Sequence, residues 1–304
     1  MVMIKRVLAL LGSGALAILL LRQAETAAQA VRDGVQLCLT SVIPALFPFF
    51  AVSSLLVALG AAEAAGRVLA HPFRQLFRCG GAGCAALLLG LVGGYPVGAR
   101  TAAELVRRGE LSPAEGARLL TFCNNAGPAF AIGVAGVSVF GSARTGVWLY
   151  LLHCAAALLT GLLFCRRPLP VTAMPKRPVP PQTGLTGQFL RAVEEAVSAM
   201  ARVCGFVVFF LVLLRLAEGL IGPLPPLAAG VLELTNGILR LTPDRRGFVT
   251  AAALLGWGGL SVHCQTAAVT AGSGISLRLY LPAKAVQAAL SAGLAALLAP
   301  YLLP

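Results

Sequence analysis

The stretch GGYPVGARTAA, residues 93–103, decides the fold prediction because it interrupts an apolar run with residues that break a helix. It aligns without a gap on GGLSVHCQTAA, residues 258–268, with six of the eleven positions identical. Each copy follows a short apolar run and precedes a polar turn that contains glycine. Duplicated, glycine-interrupted apolar segments indicate the substrate site of a membrane transporter. The alignment therefore predicts an internal repeat whose two copies form facing hairpin tips.

A helix break inside a membrane frees backbone N–H and C=O groups that hydrocarbon cannot satisfy. Such backbone persists only where protein or a water-filled cavity covers it. A helix that restarts after the break presents unpaired N–H groups and the positive end of its dipole, which suits an anion. We therefore expect a small polar or anionic solute to bind at the breaks.

The composition is that of a membrane protein. Hydrophobic residues make up 58% of the 304 residues and charged residues only 12%, with a mean hydropathy of +0.86. A helical span needs roughly 20 apolar residues. These numbers predict an all-α, polytopic helix bundle with two repeated halves and re-entrant or broken-helix hairpins. The candidate membrane segments are residues 7–21, 40–60, 83–97, 119–140, 145–164, 203–221, 226–239, 248–269 and 279–298.

Proline content divides the chain into regions. Residues 165–188 are rich in proline and lack apolar periodicity, which predicts a cytoplasmic linker. It separates a first repeat, residues 40–164, from a second, residues 189–304. Residues 1–39 are expected to form a retained signal-anchor helix followed by an amphipathic segment. Residues 189–202 are expected to lie along the membrane interface or to form a simple connector helix.

The net charge of +13 is better explained by topology than by nucleic acid, because the basic residues flank apolar runs. Excess Lys and Arg mark cytoplasmic loops. We therefore place on that side the N-terminus, the linker and two loops, one with Arg67, Arg74 and Arg78 and one with Arg240, Arg245 and Arg246. These assignments agree if residues 83–108 enter and leave from the cytoplasm as a re-entrant hairpin.

Several polar residues fall at membrane depth. Asn124 and Asn125 precede Gly127, and they are expected either to cap a broken helix or also to line a solute path. Arg100 follows the first break, where its guanidinium would grip a carboxylate; the alternative is an interfacial Arg paired with Glu104. In the second copy its counterpart is Gln265, which carries no charge.

Glu233, with Asn236 close behind it, is a candidate for cation or proton coupling in the short segment 226–239. The alternative is an interfacial carboxylate facing Arg240. The predicted substrate-binding set is Gly93, Gly94, Tyr95, Pro96, Gly98, Arg100, Asn124, Asn125, Gly127, Ser261, Gln265 and Thr266.

The sequence contains no recognisable motif for catalysis or for metal binding. His263 and Cys264 are adjacent and so face apart on a helix, and the eight cysteines are scattered through apolar segments, where we expect them to pack. No Walker A loop, Rossmann fingerprint, GxSxG or HExxH occurs. The sequence therefore predicts no catalytic residues, no metal and no cofactor, and the energy source must be a gradient or a partner.

The segments 44–50, 93–100, 109–116 and 120–128 resemble the sporulation integral membrane protein family called YlbJ or SpoVV. That family belongs to the Gate-domain group, which is similar to concentrative nucleoside transporters and to the membrane part of ferrous-iron transporters. The resemblance implies movement of dipicolinate, a rigid dicarboxylate, from the mother cell across the outer forespore membrane of a spore-forming bacterium.

Alternative functions are a non-transporting assembly factor for the spore cortex and a transporter of nucleosides or other small solutes. The expected partners are the lipid bilayer and a dipicolinate-like anion, without nucleic acid. A second copy of the chain and other sporulation membrane proteins stay open as further partners.

Overall fold

The structure, a computed structural model, describes residues 2–166 and 184–302, and within these ranges every regular element is a helix. The all-α prediction is therefore confirmed. In the first half the α-helices are α1 Val2–Arg22, α2 Ala24–Leu37, α3 Ile43–Ala58, α4 Ala61–Phe77, α5 Gly83–Gly93, α6 Val97–Arg107, α7 Pro113–Leu120 and α8 Ala143–Phe164. Those of the second half are α9 Leu185–Ile221, α10 Pro226–Leu232, α11 Leu234–Leu239, α12 Arg245–Trp257, α13 Gly259–Thr270 and α14 Tyr280–Leu302. Two π-helical segments complete the described elements, π1 Cys38–Val42 and π2 Ala129–Val139.

Four described segments are long and apolar enough to cross a membrane: α8, α9, the stretch Arg245–Thr270 and α14. A fifth candidate is the pair Arg6–Arg22 and Ala24–Val42, bent by 93°. The chain is a multi-pass integral membrane protein. Other predicted segments form apolar helices too short to span alone, namely Leu46–Leu56, Gly83–Gly93 and Ala129–Val139.

The longest helix, α9, corrects the prediction of a separate interfacial or connector helix before residue 203. It runs unbroken for 37 residues from Leu185 to Ile221. Neither proline nor a polar turn separates residues 189–202 from the apolar run, so the helix continues. At 1.5 Å per residue it is about 55 Å long, which exceeds a bilayer core of about 30 Å. It begins inside the predicted linker, of which residues 167–183 lie outside the described residues.

The predicted segment 226–239 does not form one helix. It is divided into α10 and α11, seven and six residues long, which are folded onto each other where Gly237 meets Gly230. Neither helix is long enough to span the membrane. The order of a helix pair, a broken helix and a long helix consequently occurs twice: α5–α6, α7–π2 and α8, then α10–α11, α12–α13 and α14.

This order corrects the repeat alignment. The first copy of the motif forms the turn of the pair α5–α6, whereas the second interrupts the single span candidate Arg245–Thr270 at Gly258. By element order the counterpart of the Gly93–Gly94 turn is Glu233, between α10 and α11. The two sequences are alike because both break a helix at closely packed glycines. A hairpin tip at the second copy is not observed, and a re-entrant hairpin at the first stays a prediction.

The two helix pairs open toward opposite ends of α9. Val97, at the start of α6, packs against the cluster that contains Val203 and Val207, and Arg100 pairs with Glu195, so α6 leads toward the N-terminal end of α9. Arg240, at the end of the pair α10–α11, contacts Glu218 near the other end of α9. Glu195 and Glu218 are about 35 Å apart along the helix, close to a bilayer thickness. The two halves are therefore inverted.

One topology assignment changes as a result. Residue 184, where the linker meets α9, lies at the end opposite to Arg240. A membrane crossed by α9 separates the linker from the loop that contains Arg240, Arg245 and Arg246. The two cannot both be cytoplasmic, and the greater number of basic residues favours the linker side as cytoplasmic.

Candidate functional site

The two motif copies meet at Tyr95. Its hydroxyl donates a hydrogen bond to the Leu255 carbonyl at 2.9 Å, in the last turn of α12. The ring lies against Gly258, where a Cβ would come within 3.0 Å of the hydroxyl oxygen, and Gly258 has a φ of +90°. Glycine is therefore required at this break for both its backbone conformation and the space it leaves.

A third break, residues 121–128, packs against the turn of the first copy. The backbone of Gly94 lies directly against that of Gly127. The carbonyl oxygen of Cys123 lies between Gly90 and Gly98. A Cβ at either glycine would overlap this oxygen. Helix α7 thus ends beside the α5–α6 turn through contacts between backbones.

A cavity lies beside the α5–α6 turn, the break after α7 and the junction of α10 and α11, with an empty volume of about 510 Å³, its open mouth included. Most of its wall is apolar, contributed by side chains such as Phe130, Val207 and Val262. The predicted site residues that line this cavity are Gly93, Gly94, Tyr95, Gly127, Gln265 and Glu233. A mainly apolar cavity with a few convergent polar groups is the usual form of a small-molecule site.

Arg100 lines a second, smaller cavity together with Pro96, Arg202 and Gln265, with an empty volume of about 320 Å³. Its guanidinium pairs with Glu195 of α9 at 2.7 Å, whereas Glu104 pairs with Arg108. The expected alternative pairing of Arg100 with Glu104 is therefore wrong. Gln265 lines both cavities. The cavity that contains the two arginines therefore lies next to the main cavity at this side chain.

Glu233 is buried in the wall of the main cavity and begins α11. Its carboxylate accepts hydrogen bonds from the backbone N–H groups of Thr235, at 3.2 Å, and Asn236, at 2.8 Å, and from the Asn236 amide at 2.8 Å. Arg240 pairs instead with Glu218, so the alternative of Glu233 facing Arg240 is wrong. Ion coupling by Glu233 and Asn236 stays a prediction.

Asn124 and Asn125 lie in a buried polar network and do not line either cavity. The Asn124 amide donates to Thr266 Oγ1 at 2.8 Å and to Tyr280 Oη at 3.1 Å. The Asn125 amide donates to the Phe122 carbonyl at 2.7 Å, in the manner of a cap on the broken helix. Thr266 therefore joins the asparagines, while Ser261 receives only a long contact of 3.4 Å from Gln265.

Lys284 of α14 completes this network and is absent from the predicted set. Its ammonium donates to the Asn124 carbonyl and to Gln287 Oε1, both at 2.7 Å, and Gln287 donates to Asn125 Oδ1 at 2.9 Å. The available signal was a lysine within an otherwise apolar predicted span, which by itself indicates function. His153, buried in α8, was also missed, and its Nε2 accepts from the Ala126 N–H at 3.0 Å.

Comparison with known proteins places this site in a family context. Residues 39–143 match the family model for Gate, described as nucleoside recognition. This region is therefore similar to a Gate domain. It contains the first motif copy, the Asn124–Asn125 break and the glycines that pack them together.

The chain is also similar to the sporulation integral membrane protein YlbJ of Bacillus subtilis (strain 168), with 27% identity over an alignment of 310 positions, gaps included. The alignment covers 85% of this chain and 74% of that protein. The resemblance inferred from the motifs is thereby confirmed. No solved structure gives a significant match to the chain.

Proposed function

We propose that this protein is a secondary transporter that moves a small anionic solute across a membrane. The observation that carries the proposal is the convergence on one open cavity of the α5–α6 turn, the break after α7 and the junction of α10 and α11. Broken helices within a membrane persist where they border protein or water, and in transporters they form the solute site. Many secondary transporters are built from inverted repeats that move against each other around a central site, and the opposed helix pairs of this chain fit that arrangement.

The choice of an anion is supported by the second cavity. Arg100 and Arg202 both line it, and only Arg100 has a carboxylate partner among the described residues. Arginine binds carboxylates in a bidentate manner. An anion held there would be adjacent to Gln265, through which the small cavity neighbours the main one.

Dipicolinate is the first solute to test. The similar protein from Bacillus subtilis is named for sporulation, and the resemblance of the motifs implies a dicarboxylate that spores accumulate. We propose that the protein acts in the outer forespore membrane and passes dipicolinate toward the developing spore. A rigid dicarboxylate offers one carboxylate to each of two arginines.

Uptake of labelled dipicolinate into proteoliposomes tests this proposal. Arg100→Ala is expected to reduce uptake at least about tenfold, because one charge-assisted hydrogen-bonded contact contributes about 1.5–3 kcal/mol. Arg108→Ala is the matched control, since it removes a surface arginine of the same helix that pairs with Glu104. No uptake by the unaltered protein contradicts the function, and equal uptake by the Arg100 variant removes Arg100 from the site.

A nucleoside is the second candidate solute, favoured by the main cavity itself. Among the described residues that line it, Glu233 is the charged side chain, and Thr235 and Gln265 offer neutral hydrogen-bonding groups. Such a wall also suits an uncharged, partly apolar solute. If unlabelled nucleosides, but not unlabelled dicarboxylates, inhibit uptake of labelled uridine by the same proteoliposomes, the nucleoside is the solute.

A further inference from the structure

Lys284 is fully buried at 0% exposure, yet no ion pair joins it to a carboxylate within residues 2–166 and 184–302. An isolated buried charge is costly, and membrane proteins retain one where it has a function. The titratable groups around it are Tyr95, Cys123, His153, His263 and Tyr280, none of which is an acid that is ionised at neutral pH.

The position of Lys284 connects it to the transport cavity. Its Nζ lies 5.3 Å from the centre of the Tyr95 ring, and Tyr95 forms part of the cavity wall. The same Nζ donates to the carbonyl of Asn124. Asn124 lies in the break after α7, where backbone carbonyls have no partner within a helix. Lys284 therefore contacts two of the three breaks, one through a ring face and one through a carbonyl.

The polar network is incompletely paired around this lysine. Asn124 Oδ1 and His263 Nε2 are buried and have no hydrogen-bond partner in the part of the chain that the structure describes. Asn124 donates to Thr266 and Tyr280, and His263 Nδ1 lies 3.2 Å from Tyr280 Oη. Buried polar groups are normally paired, and these two acceptors belong to the network that Lys284 joins through Asn124.

The choice of lysine at this position is informative because the chain otherwise uses arginine. Of its 24 basic residues only Lys5, Lys176 and Lys284 are lysines. Arginine stays protonated in proteins, whereas a buried lysine can lose and regain its proton. Of the Lys and Arg side chains that the structure describes, the one at 0% exposure is thus of the type that can change its charge.

We propose that Lys284 is the proton-binding residue of the transport cycle, so that one proton moves with each solute anion. This inference rests on the proposed transport function. An anion that enters the cavity supplies the negative charge that a buried ammonium lacks. The amine nitrogen then uses its lone pair to accept a proton from a hydronium ion of the water that enters with the anion; an N–H bond forms as an O–H bond of the hydronium breaks, and the ammonium binds the Asn124 carbonyl.

The proton leaves in the reverse step. When the anion departs on the other side, the N–H bond breaks and the proton passes to water that enters through the opened cavity. The neutral amine has one donor fewer, so its hold on the Asn124 carbonyl weakens and the break can move relative to α14. The charge of Lys284 would in this way be linked to the movement of the first half against the second.

Proteoliposomes with the membrane potential clamped at zero test this coupling, with labelled dipicolinate as the probe. With one proton per solute, an inward gradient of one pH unit should give about tenfold accumulation, since each factor of ten costs about 1.4 kcal/mol. Lys284→Gln makes the side chain permanently neutral, and Lys284→Arg makes it permanently positive. Both should abolish accumulation but retain counterflow, the exchange of labelled for unlabelled dipicolinate without a gradient.

Ser291→Ala is the matched control, because Ser291 is buried on the same helix and its hydroxyl has no described partner. It should accumulate dipicolinate like the unaltered protein. Melting temperatures establish that each variant is folded, and if the Gln variant unfolds, the Arg variant carries the test. Normal accumulation by a folded Lys284 variant, or loss of both accumulation and counterflow, overturns the coupling role.

Two results for the unaltered protein separate the two proposals. Counterflow without any response to the pH gradient overturns proton coupling and leaves transport intact. Absence of counterflow refutes transport of dipicolinate and the role of Lys284 with it.

Discussion

The Cys123 carbonyl oxygen determines which residues can occupy positions 90 and 98. Both positions are glycine, and a Cβ at either would overlap that oxygen. The obstacle is backbone, so a flexible side chain cannot move aside to relieve it. The close contact between the α5–α6 turn and the break after α7 therefore depends on two hydrogen atoms in place of methyl groups.

Gly98→Ala is accordingly expected to destabilise the protein by about 3 kcal/mol, the upper part of the range for overpacking. Thermal unfolding of the purified protein in detergent measures the loss. Gly133→Ala is the control, because a Cβ at Gly133 in π2 meets no atom within 4 Å. A melting temperature for Gly98→Ala equal to that of the control would contradict this packing.

Single residues were predictable from sequence to the extent that their chemistry is local. Glycines that break an apolar run identified the turn at residues 93–98 and the break at Gly258, because few other residues fit there. Of the two roles expected for the asparagines, only helix capping is observed, at Asn125, and neither residue lines a cavity. The partners of Asn124, Thr266 and Lys284, are more than 140 residues away. Nothing local to Asn124 or Lys284 could indicate that pairing.

At the scale of elements, Tyr95 is the hydrogen-bonded link between the turn of α5–α6 and the break of α12–α13. The carbonyl that it binds belongs to the last turn of a helix, where carbonyls lack partners within the helix. If these two elements move relative to each other during transport, this bond must form and break in each cycle.

Tyr95→Phe should lower the free energy of unfolding by about 1 kcal/mol, the usual net contribution of one hydrogen bond, and should also slow uptake. Tyr150→Phe is a matched comparison, since the Tyr150 hydroxyl donates to the Leu91 carbonyl at 3.1 Å and the residue lies outside both cavities. We expect similar losses of melting temperature but slower uptake only for Tyr95→Phe. Equal uptake by the two variants would separate the Tyr95 bond from transport.

Element boundaries were harder to predict than element type. The segment 226–239 is apolar enough to be taken for a span, and its division at Glu233 depends on a buried carboxylate that caps α11. The continuity of α9 was missed because Glu194 and Glu195 suggested an interface, whereas Glu195 is paired with Arg100 of another helix. In both cases a tertiary contact decided the outcome.

At the scale of the whole molecule, the opposed helix pairs make a topological prediction. The loop after α6 and the loop before α12 should face opposite aqueous compartments, since their helix pairs open toward opposite ends of α9. Neither loop contains a native cysteine, so each can be labelled with a single substitution.

Glu110→Cys and Pro243→Cys, both at exposed positions, test this arrangement in a Cys264→Ala background that removes the exposed native thiol. A membrane-impermeant maleimide should label one variant in intact cells and the other only in inverted vesicles. Labelling of both from the same side would show that the halves are not inverted.

Trp257 is an intrinsic fluorescent probe of movement between the α12–α13 break and α10. It immediately precedes Gly258, its indole N–H donates to the Val231 carbonyl at 3.2 Å, and its ring meets His263 edge-on at 4.5 Å. The chain has two tryptophans, so replacing Trp148 leaves one fluorophore at the junction of α12, α13 and α10. Because indole emission shifts to longer wavelength in wetter surroundings, the emission wavelength of that single residue would follow the hydration of this junction in real time without an attached dye.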